Sequence, residues 1–161
     1  AEGCQTLSAT LGRLTALAQL DLSNNKLGDH GGVLSTALAA LCQVTSLNLS
    51  ACGLEAAGGI TVASALKNMT KVTSLDLSSN MLRLKGAQTV ASSLVHMQLL
   101  ASLNLRDNKM GFEGYTAITQ SLGQHPHLKD FWLEKFCLEG HSNVVTCVVW
   151  SPDGTKLASA S

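Results

Sequence analysis

The sequence predicts an α/β fold built from stacked units, each made of a short strand and a helix. One observation is an apolar pattern, LxxLxLxxNxL, that occurs five times at a period of 27 or 28 residues. Another is the change of apolar spacing inside each unit, from the period of a strand to that of a helix. A fixed period in this range is typical of a solenoid and not of a globule closed around one cleft.

The five copies of the pattern keep their spacing, with other apolar residues in place of some leucines. They are Leu17, Leu20, Leu22, Asn25 and Leu27; Val44, Leu47, Leu49, Cys52 and Leu54; Val72, Leu75, Leu77, Asn80 and Leu82; Leu100, Leu103, Leu105, Asn108 and Met110; and Leu128, Phe131, Leu133, Phe136 and Leu138. The residues before the first copy fit the second half of a unit, so we expect the first unit to be partial.

Within each unit, leucines that alternate with polar residues predict a short strand with one buried face. A glycine follows, and it serves either a close approach of the backbone or a positive φ. Apolar residues with the spacing of one helix face come next. The glycines are Gly31, Gly58, Gly86 and Gly114. The apolar sets are Leu34, Leu38 and Leu41; Val62, Leu66 and Met69; and Val90, Leu94 and Met97, and the fourth unit has Ile118 and Leu122 followed by His125. Such units bury their apolar sides only by stacking, with the strands in a parallel sheet and the helices in a second layer.

The asparagine position of the pattern predicts a row of structural residues where the strands end. A buried Asn can donate to and accept from the backbone of adjacent turns, where peptide groups no longer pair in the sheet. Cys52 takes this position in the second unit as an apolar variant with a weak donor. The predicted ladder consists of Asn25, Cys52, Asn80 and Asn108, and it ends at Phe136, which has no polar group.

With these repeats, residues 1 to about 137 resemble a leucine-rich repeat protein, and the long helical segments make them similar to the ribonuclease-inhibitor-like class. The resemblance implies a right-handed solenoid shaped as a horseshoe, with the parallel sheet on the concave side and the helices on the convex side. It also implies protein binding, since this class includes cytosolic inhibitors, the sensor regions of NOD-like immune receptors and the activators of the Ran GTPase. We therefore expect a first domain at 1–137, with about five units.

Residues 138–161 resemble the first half of a WD-repeat blade. The resemblance rests on the Gly-His dipeptide, the Ser-Pro-Asp-Gly turn and the final Leu-Ala-Ser-Ala-Ser strand. It implies a β-hairpin-like half blade, because a full blade has four strands and these 24 residues also lack the Trp-Asp dipeptide. A lone hairpin is marginal in water, so we expect residues 143–161 to pack on the fifth unit, to pair with another chain or to be poorly ordered. We favour packing through Val145, Val148 and Trp150, and a longer protein in which a complete propeller follows explains the sequence equally well.

Alternation along the strands predicts which side chains lie on the concave face. They form rows across the units, and most are short and polar, as plain solvated strand surface also is. Toward the C-terminal end an arginine and a tryptophan come together, which is the composition of a binding hot spot. The alternative is that the terminal hairpin covers this tryptophan. The predicted partner-binding residues are Asp21, Asn48, Asp76, Asn104, Arg106, Asp130, Trp132 and Glu134.

Composition and charge exclude several classes of function. The formal net charge is zero and 14% of the residues are charged, so no electrostatic surface for nucleic acid or for a membrane is expected. The histidines are dispersed, no nucleophile is paired with a base, and no glycine-rich phosphate loop occurs. We therefore expect no catalytic residue, no metal and no cofactor. Five cysteines, an odd number at long spacings, are expected to be reduced thiols of a cytoplasmic protein.

The sequence thus predicts a non-enzymatic scaffold that binds a partner protein through the concave face. The alternative is a regulatory sensor or GTPase-activating segment of a larger protein, of the NOD-like receptor or Ran-activator type. A third interpretation is a structural spacer between other domains. Apolar surface at the uncapped ends of the solenoid also predicts self-association.

Overall fold

A computed structural model describes residues 2–28, 31–123, 125–133, 147–150 and 157–160 of the chain. Helices and short strands alternate through its first part, as the change of apolar spacing predicts. The helices are α1 (Glu2–Leu11), α2 (Gly31–Ala40), α3 (Glu55–Leu66), α4 (Arg83–Leu94) and α5 (Gly111–Leu122). The strands are β1 (Gln19–Asp21), β2 (Ser46–Asn48), β3 (Ser74–Asp76), β4 (Ser102–Asn104), β5 (Asp130–Trp132), β6 (Cys147–Trp150) and β7 (Leu157–Ala160).

The strands β1 to β5 form one open parallel sheet in the order of the chain. Each strand pairs in register with the next, so that the middle residues form one row: Leu20, Leu47, Leu75, Leu103 and Phe131. A parallel connection needs a crossover, and a helix supplies it between each pair of neighbouring strands. The predicted α/β solenoid with a parallel sheet is therefore confirmed.

One continuous hydrophobic core lies between the sheet and the helices. It joins residues of the strand pattern, such as Leu47 and Leu75, to helix residues such as Val62, Val90 and Ile118. Each helix packs against its neighbours along the chain. The units are thus held together by contacts between sequence neighbours, which is how a solenoid buries apolar surface that no single unit can bury.

The last residue of each predicted helical set lies beyond the end of its helix. Leu41, Met69 and Met97 follow helices that end at 40, 66 and 94, and all three side chains are fully buried. The backbone N–H of Met97 donates to the carbonyl oxygen of Leu94 at 2.8 Å, which continues the helix by one tighter turn. This turn keeps the side chain on the buried face, so the apolar spacing extends past the helix itself.

His125 occupies the corresponding position in the next unit. Its ring Nε2 lies 2.8 Å from the Leu94 carbonyl oxygen, so Nε2 carries the proton and donates, because a carbonyl only accepts. The other ring nitrogen, Nδ1, is buried and has no hydrogen-bond partner in the part of the chain that the structure describes. A buried polar atom without a partner costs free energy, so His125 destabilises the position that Leu41, Met69 and Met97 fill with apolar side chains in the other units.

Replacing His125 with methionine is expected to raise the free energy of unfolding by about 1 kcal/mol. The substitution removes the unpartnered nitrogen and places at this position the same apolar residue that Met69 and Met97 provide in other units. The Leu94 carbonyl keeps a partner, since the Met97 N–H also donates to it. Urea unfolding followed by circular dichroism measures the change, and the reciprocal variant Met97→His should be less stable than the parent chain. A less stable His125→Met chain would show that the Nε2 hydrogen bond outweighs the unpartnered Nδ1.

The strands β6 and β7 form a separate antiparallel pair, with Cys147 opposite Ala160 and Trp150 opposite Leu157. Both strands lie within residues 138–161, the segment for which the sequence predicts a half blade. The predicted packing of Val145, Val148 and Trp150 on the fifth unit concerns side chains outside the described part of the chain. The predicted domain boundary at 137 also lies outside it, so both stay predictions.

None of the helices within the described ranges has the length and apolar character that crossing a bilayer requires.

Candidate functional site

The side of the sheet opposite the helices presents the polar rows that the sequence predicts, and we call it the open sheet face. Strand register aligns its members across the five strands. The first row is Gln19, Ser46, Ser74, Ser102 and Asp130; the second row is Asp21, Asn48, Asp76, Asn104 and Trp132. A third row follows where the strands end, with Ser23, Ser50, Ser78 and Arg106, whereas Glu134 lies outside the described residues.

Carboxylates and amides alternate along the second row and bond in pairs. The Asn48 side-chain Nδ2 donates to Asp21 Oδ2 at 3.0 Å, and Asn104 Nδ2 donates to Asp76 Oδ2 at the same distance. Each pair joins neighbouring strands through side chains as well as backbone. The row therefore contains two hydrogen-bonded pairs, and the amide of each pair fixes the orientation of its carboxylate.

The second oxygen of each carboxylate bonds the turn that follows its strand. Asp21 Oδ1 accepts the Ser23 backbone N–H at 2.8 Å, and Asp76 Oδ1 accepts the Ser78 backbone N–H at 2.8 Å and the Ser78 hydroxyl at 2.6 Å. Hydrogen bonds from the Ser23 hydroxyl and backbone N–H, with a smaller one from Asn48, lower the pKa of Asp21 below its ordinary value. Asp21 thus carries its negative charge at neutral pH.

The C-terminal end of the face brings together the predicted arginine and tryptophan. The Arg106 Cζ atom lies 5.8 Å from the centroid of the Trp132 ring, within the range of a cation–π contact. Arg106 is exposed and Trp132 is partly exposed, and the exposed Lys129 and Asp130 come shortly before Trp132 in the chain. The rest of the predicted set lies on the same face, except Glu134, whose position is not described.

A shallow depression of about 510 Å³ lies over the first three strands. Asp21, Asn48 and Asp76 line it together with the small side chains of Ser46 and Ser74. The apolar spacing of the sequence does not predict this depression. The serines of the first row are the signal that could have indicated it, because short side chains leave space above the sheet.

The ladder position is buried in the third and fourth units. Asn80 accepts the Cys52 N–H at 3.0 Å through Oδ1 and donates through Nδ2 to the Leu49 carbonyl at 2.7 Å, both in the preceding unit. Asn108 repeats this arrangement one unit later, with Oδ1 3.2 Å from the Asn80 N–H and Nδ2 2.9 Å from the Leu77 carbonyl. Each Asn therefore ties its own turn to the turn before it.

The first two units depart from this arrangement. Cys52 is buried, and its thiol donates to the Leu22 carbonyl at 3.1 Å, so a single weak donor replaces the amide. Asn25 is exposed, and its described side-chain hydrogen bonds go to carbonyls of its own turn, at Leu22 and Ser23. The expectation of a buried residue that bonds an adjacent turn is wrong at Asn25, because no strand precedes β1 in the described part of the chain.

The burial of Cys52 leads to a prediction on thiol reactivity. Burial and the negative charge of Asp21 raise the pKa of the Cys52 thiol above its ordinary value, although the Asn25 backbone N–H opposes them. The thiolate is the reactive form, so iodoacetamide should modify Cys52 at least about tenfold more slowly than the exposed Cys42. Peptide mapping by mass spectrometry at pH 8 measures both rates. In urea the two cysteines should react at equal rates. Equal rates in the folded chain as well would contradict the burial of this thiol.

Within the described ranges, no group of three His, Cys, Asp or Glu side chains is placed to hold a metal ion.

Comparisons with known proteins bear on the two parts of the chain separately. The family model described as "Leucine Rich repeat" matches residues 15–34 and 68–91, and the one described as "WD domain, G-beta repeat" matches residues 132–161. The second match begins inside β5, upstream of the predicted start at 138. A search of curated proteins found no significant match.

Solved structures give a likeness over most of the chain. One is the actin-binding site 2 of leiomodin-1, with 19% identity, a TM-score of 0.64, and 84% of this chain and 78% of that chain covered. Another is the C-terminal domain of tropomodulin from Caenorhabditis elegans, with 12% identity, a TM-score of 0.67, and 85% and 83% covered.

The repeat matches, the sheet topology and these likenesses define the fold as that of a leucine-rich repeat domain. A segment with a WD-repeat match follows it along the chain.

Proposed function

We propose that this chain is a non-enzymatic scaffold that binds a partner protein through the open sheet face. The observation that carries the proposal is the contact of Arg106 with Trp132 at the end of an aligned, partly exposed row of polar side chains. Tryptophan and arginine are the side chains most enriched at binding hot spots, and here they are held together on a rigid sheet. The alternating Asp and Asn side chains of the second row would supply the polar contacts around them.

The structural likenesses support a protein partner but do not identify which protein it is. The leiomodin-1 domain carries an actin-binding site in its description, so actin is one partner to assay. At 19% identity the likeness concerns the fold, and the side chains on the open sheet face of this chain have to decide the partner.

Alanine substitutions test the proposal once a partner has been recovered by affinity capture and mass spectrometry. Trp132→Ala and Arg106→Ala are each expected to weaken binding by about tenfold or more, as measured by isothermal titration calorimetry. Gln88→Ala, at an exposed site on the helix layer, is the matched control and should bind as the parent chain does. Unchanged binding by both face variants, with unfolding curves that match the parent chain, would contradict the proposal.

The alternative function is a regulatory sensor or a GTPase-activating segment of the NOD-like receptor or Ran-activator type. It stays a prediction, and stimulated GTP hydrolysis on addition of this chain to a GTPase would support it. The ribonuclease-inhibitor-like subclass is likewise proposed, on the period of 27 or 28 residues between aligned strands.

A cytoplasmic location is proposed because Cys42 and Cys52 are both free thiols. Self-association through the solenoid ends is proposed because Leu14, in the first unit, leaves 45% of its surface exposed. Sedimentation at rising protein concentration tests it.

A further inference from the structure

Charge is unevenly distributed over the open sheet face. The part formed by β1, β2 and β3 carries two carboxylates, Asp21 and Asp76, and its other row members are neutral. The basic side chains Arg106 and Lys129 lie toward β4 and β5 instead. Among the described members of the rows, the half of the face that holds the depression therefore has negative charge and no positive charge.

Within the part of the chain that the structure describes, these two carboxylates are hydrogen-bonded to uncharged groups. Asp21 and Asp76 accept hydrogen bonds from the neutral groups of Ser23, Asn48, Ser78 and Asn104. No lysine, arginine or histidine in the described ranges forms an ion pair with either. An ionised carboxylate offers about four acceptor positions, so each retains acceptor capacity on its solvent side. Among the described residues the negative charges of Asp21 and Asp76 thus have no positive partner, and a cationic group of a ligand can pair with them.

The spacing of the carboxylates limits the shape of that group. Asp21 and Asp76 lie in aligned positions two strands apart, with Asn48 between them. Neighbouring strands are about 4.8 Å apart, so the two positions are separated by about 10 Å. Side chains at positions i and i+7 of a helix are also about 10 Å apart along the axis. A helical partner segment can therefore reach both carboxylates with one face.

We infer that the depression over β1 to β3 binds a helical segment of a partner protein that presents two basic side chains, Arg or Lys, seven positions apart, one to Asp21 and one to Asp76. This inference rests on the proposed function and adds the chemistry of the partner to it. The aligned Asn48 lies between the two contacts and can bond a polar group on the same helix face. The serines of the first row leave room for the helix to approach the sheet.

The test is a selection from a phage-displayed library of 18-residue peptides on a helix-forming background, randomised along one face. We expect the recovered peptides to be enriched in Lys or Arg at two positions seven apart. A recovered peptide is then synthesised, and its affinity is measured by fluorescence anisotropy. The double variant Asp21→Asn/Asp76→Asn should bind it about tenfold or more weakly. Asparagine already occupies this row at Asn48 and Asn104, so the substitution keeps the size of the side chains.

The matched control is Glu55→Gln/Glu113→Gln, which removes two negative charges from exposed sites on the helix layer. It should leave the affinity unchanged within about twofold, which separates a local effect of Asp21 and Asp76 from an effect of net charge. Recovery of no peptide with a basic pair, or equal affinities of the two double variants, would overturn the inference.

Failure of this inference can be distinguished from failure of the proposed function. If recovered peptides lack the basic pair but lose affinity for Trp132→Ala or Arg106→Ala, the open sheet face remains a binding surface and only the partner chemistry is wrong. If the natural partner binds both of those variants as tightly as the parent chain, the proposed function itself fails.

Discussion

Replacing Asn80 with alanine is expected to lower the free energy of unfolding by about 4 kcal/mol. The Asn80 side chain is fully buried, and its amide bonds the backbone of two consecutive units, at Cys52, Leu49 and Leu77 among others. Alanine removes the partner of the buried Cys52 N–H and of the Leu49 carbonyl, and each such group costs about 1 to 3 kcal/mol, whereas the Leu77 carbonyl still accepts from Asn108. Urea unfolding followed by circular dichroism measures the loss.

Asn25→Ala is the matched control, because Asn25 holds the same position in the pattern but is exposed. Water can replace its two hydrogen bonds, so we expect a loss of under about 1 kcal/mol. Asn80→Cys guards against failure to fold, since a cysteine already holds this position at Cys52; its stability should lie between those of Asn80→Ala and the parent chain. Equal losses for Asn25→Ala and Asn80→Ala would show that the ladder does not join the units.

The contrast between Asn25 and Asn80 shows what a repeat predicts and what it does not. The pattern predicts which residue points into the turn, because that depends on spacing along one unit. Burial depends on the neighbouring unit, and the pattern of a single unit says nothing about its neighbours. The core leucines were predictable for the same reason, since Leu47 and Leu75 face inward by alternation alone.

The pairing on the open sheet face was only partly predictable. Alternation placed Asp21, Asn48 and Asp76 in one row, and strand register confirms that alignment. The hydrogen bonds within the row and the depression beside it depend on side-chain conformations and on the size of neighbouring side chains. These are tertiary properties, and no spacing rule contains them.

The backbone where the strands end was not predictable at all. Left-handed residues recur there in the first four units, and most of them are not glycines. They are Asn24 and Gly28; Ala51, Gly53 and Glu55; Ser79, Met81 and Arg83; and Asp107, Lys109 and Gly111. Glycine is the usual signal of a positive φ, so a sequence that places Glu or Arg there hides it. Inter-unit hydrogen bonds hold the strained backbone in place, as when the Arg83 N–H donates to the Asn108 carbonyl at 2.9 Å.

The glycines at the start of the helices serve the other role that the sequence left open, which is close approach. Gly58, Gly86 and Gly114 lie in the first turns of α3, α4 and α5, and none of them has a positive φ. A Cβ atom on Gly114 would lie 2.8 Å from the Cβ of Met110 and 3.1 Å from the Cβ of Ala87 on the neighbouring helix. Both of those atoms are next to the backbone and cannot move aside alone.

Gly114→Ala is therefore expected to lower the free energy of unfolding by about 2 kcal/mol, because α5 must shift away from α4 to admit the methyl group. Gly32→Ala is the matched control. Gly32 also lies in a helix, but among the described residues no atom beyond its chain neighbours and the nearby backbone of its own helix comes within 4 Å of its Cβ position. Alanine there should raise the free energy of unfolding by about 0.5 to 1 kcal/mol, since it restricts the unfolded chain more than glycine does. The same substitution thus has opposite signs at two helical sites, and urea unfolding of both variants measures the difference. A Gly114→Ala chain as stable as Gly32→Ala would show that the helix layer is not packed closely enough for glycine to matter.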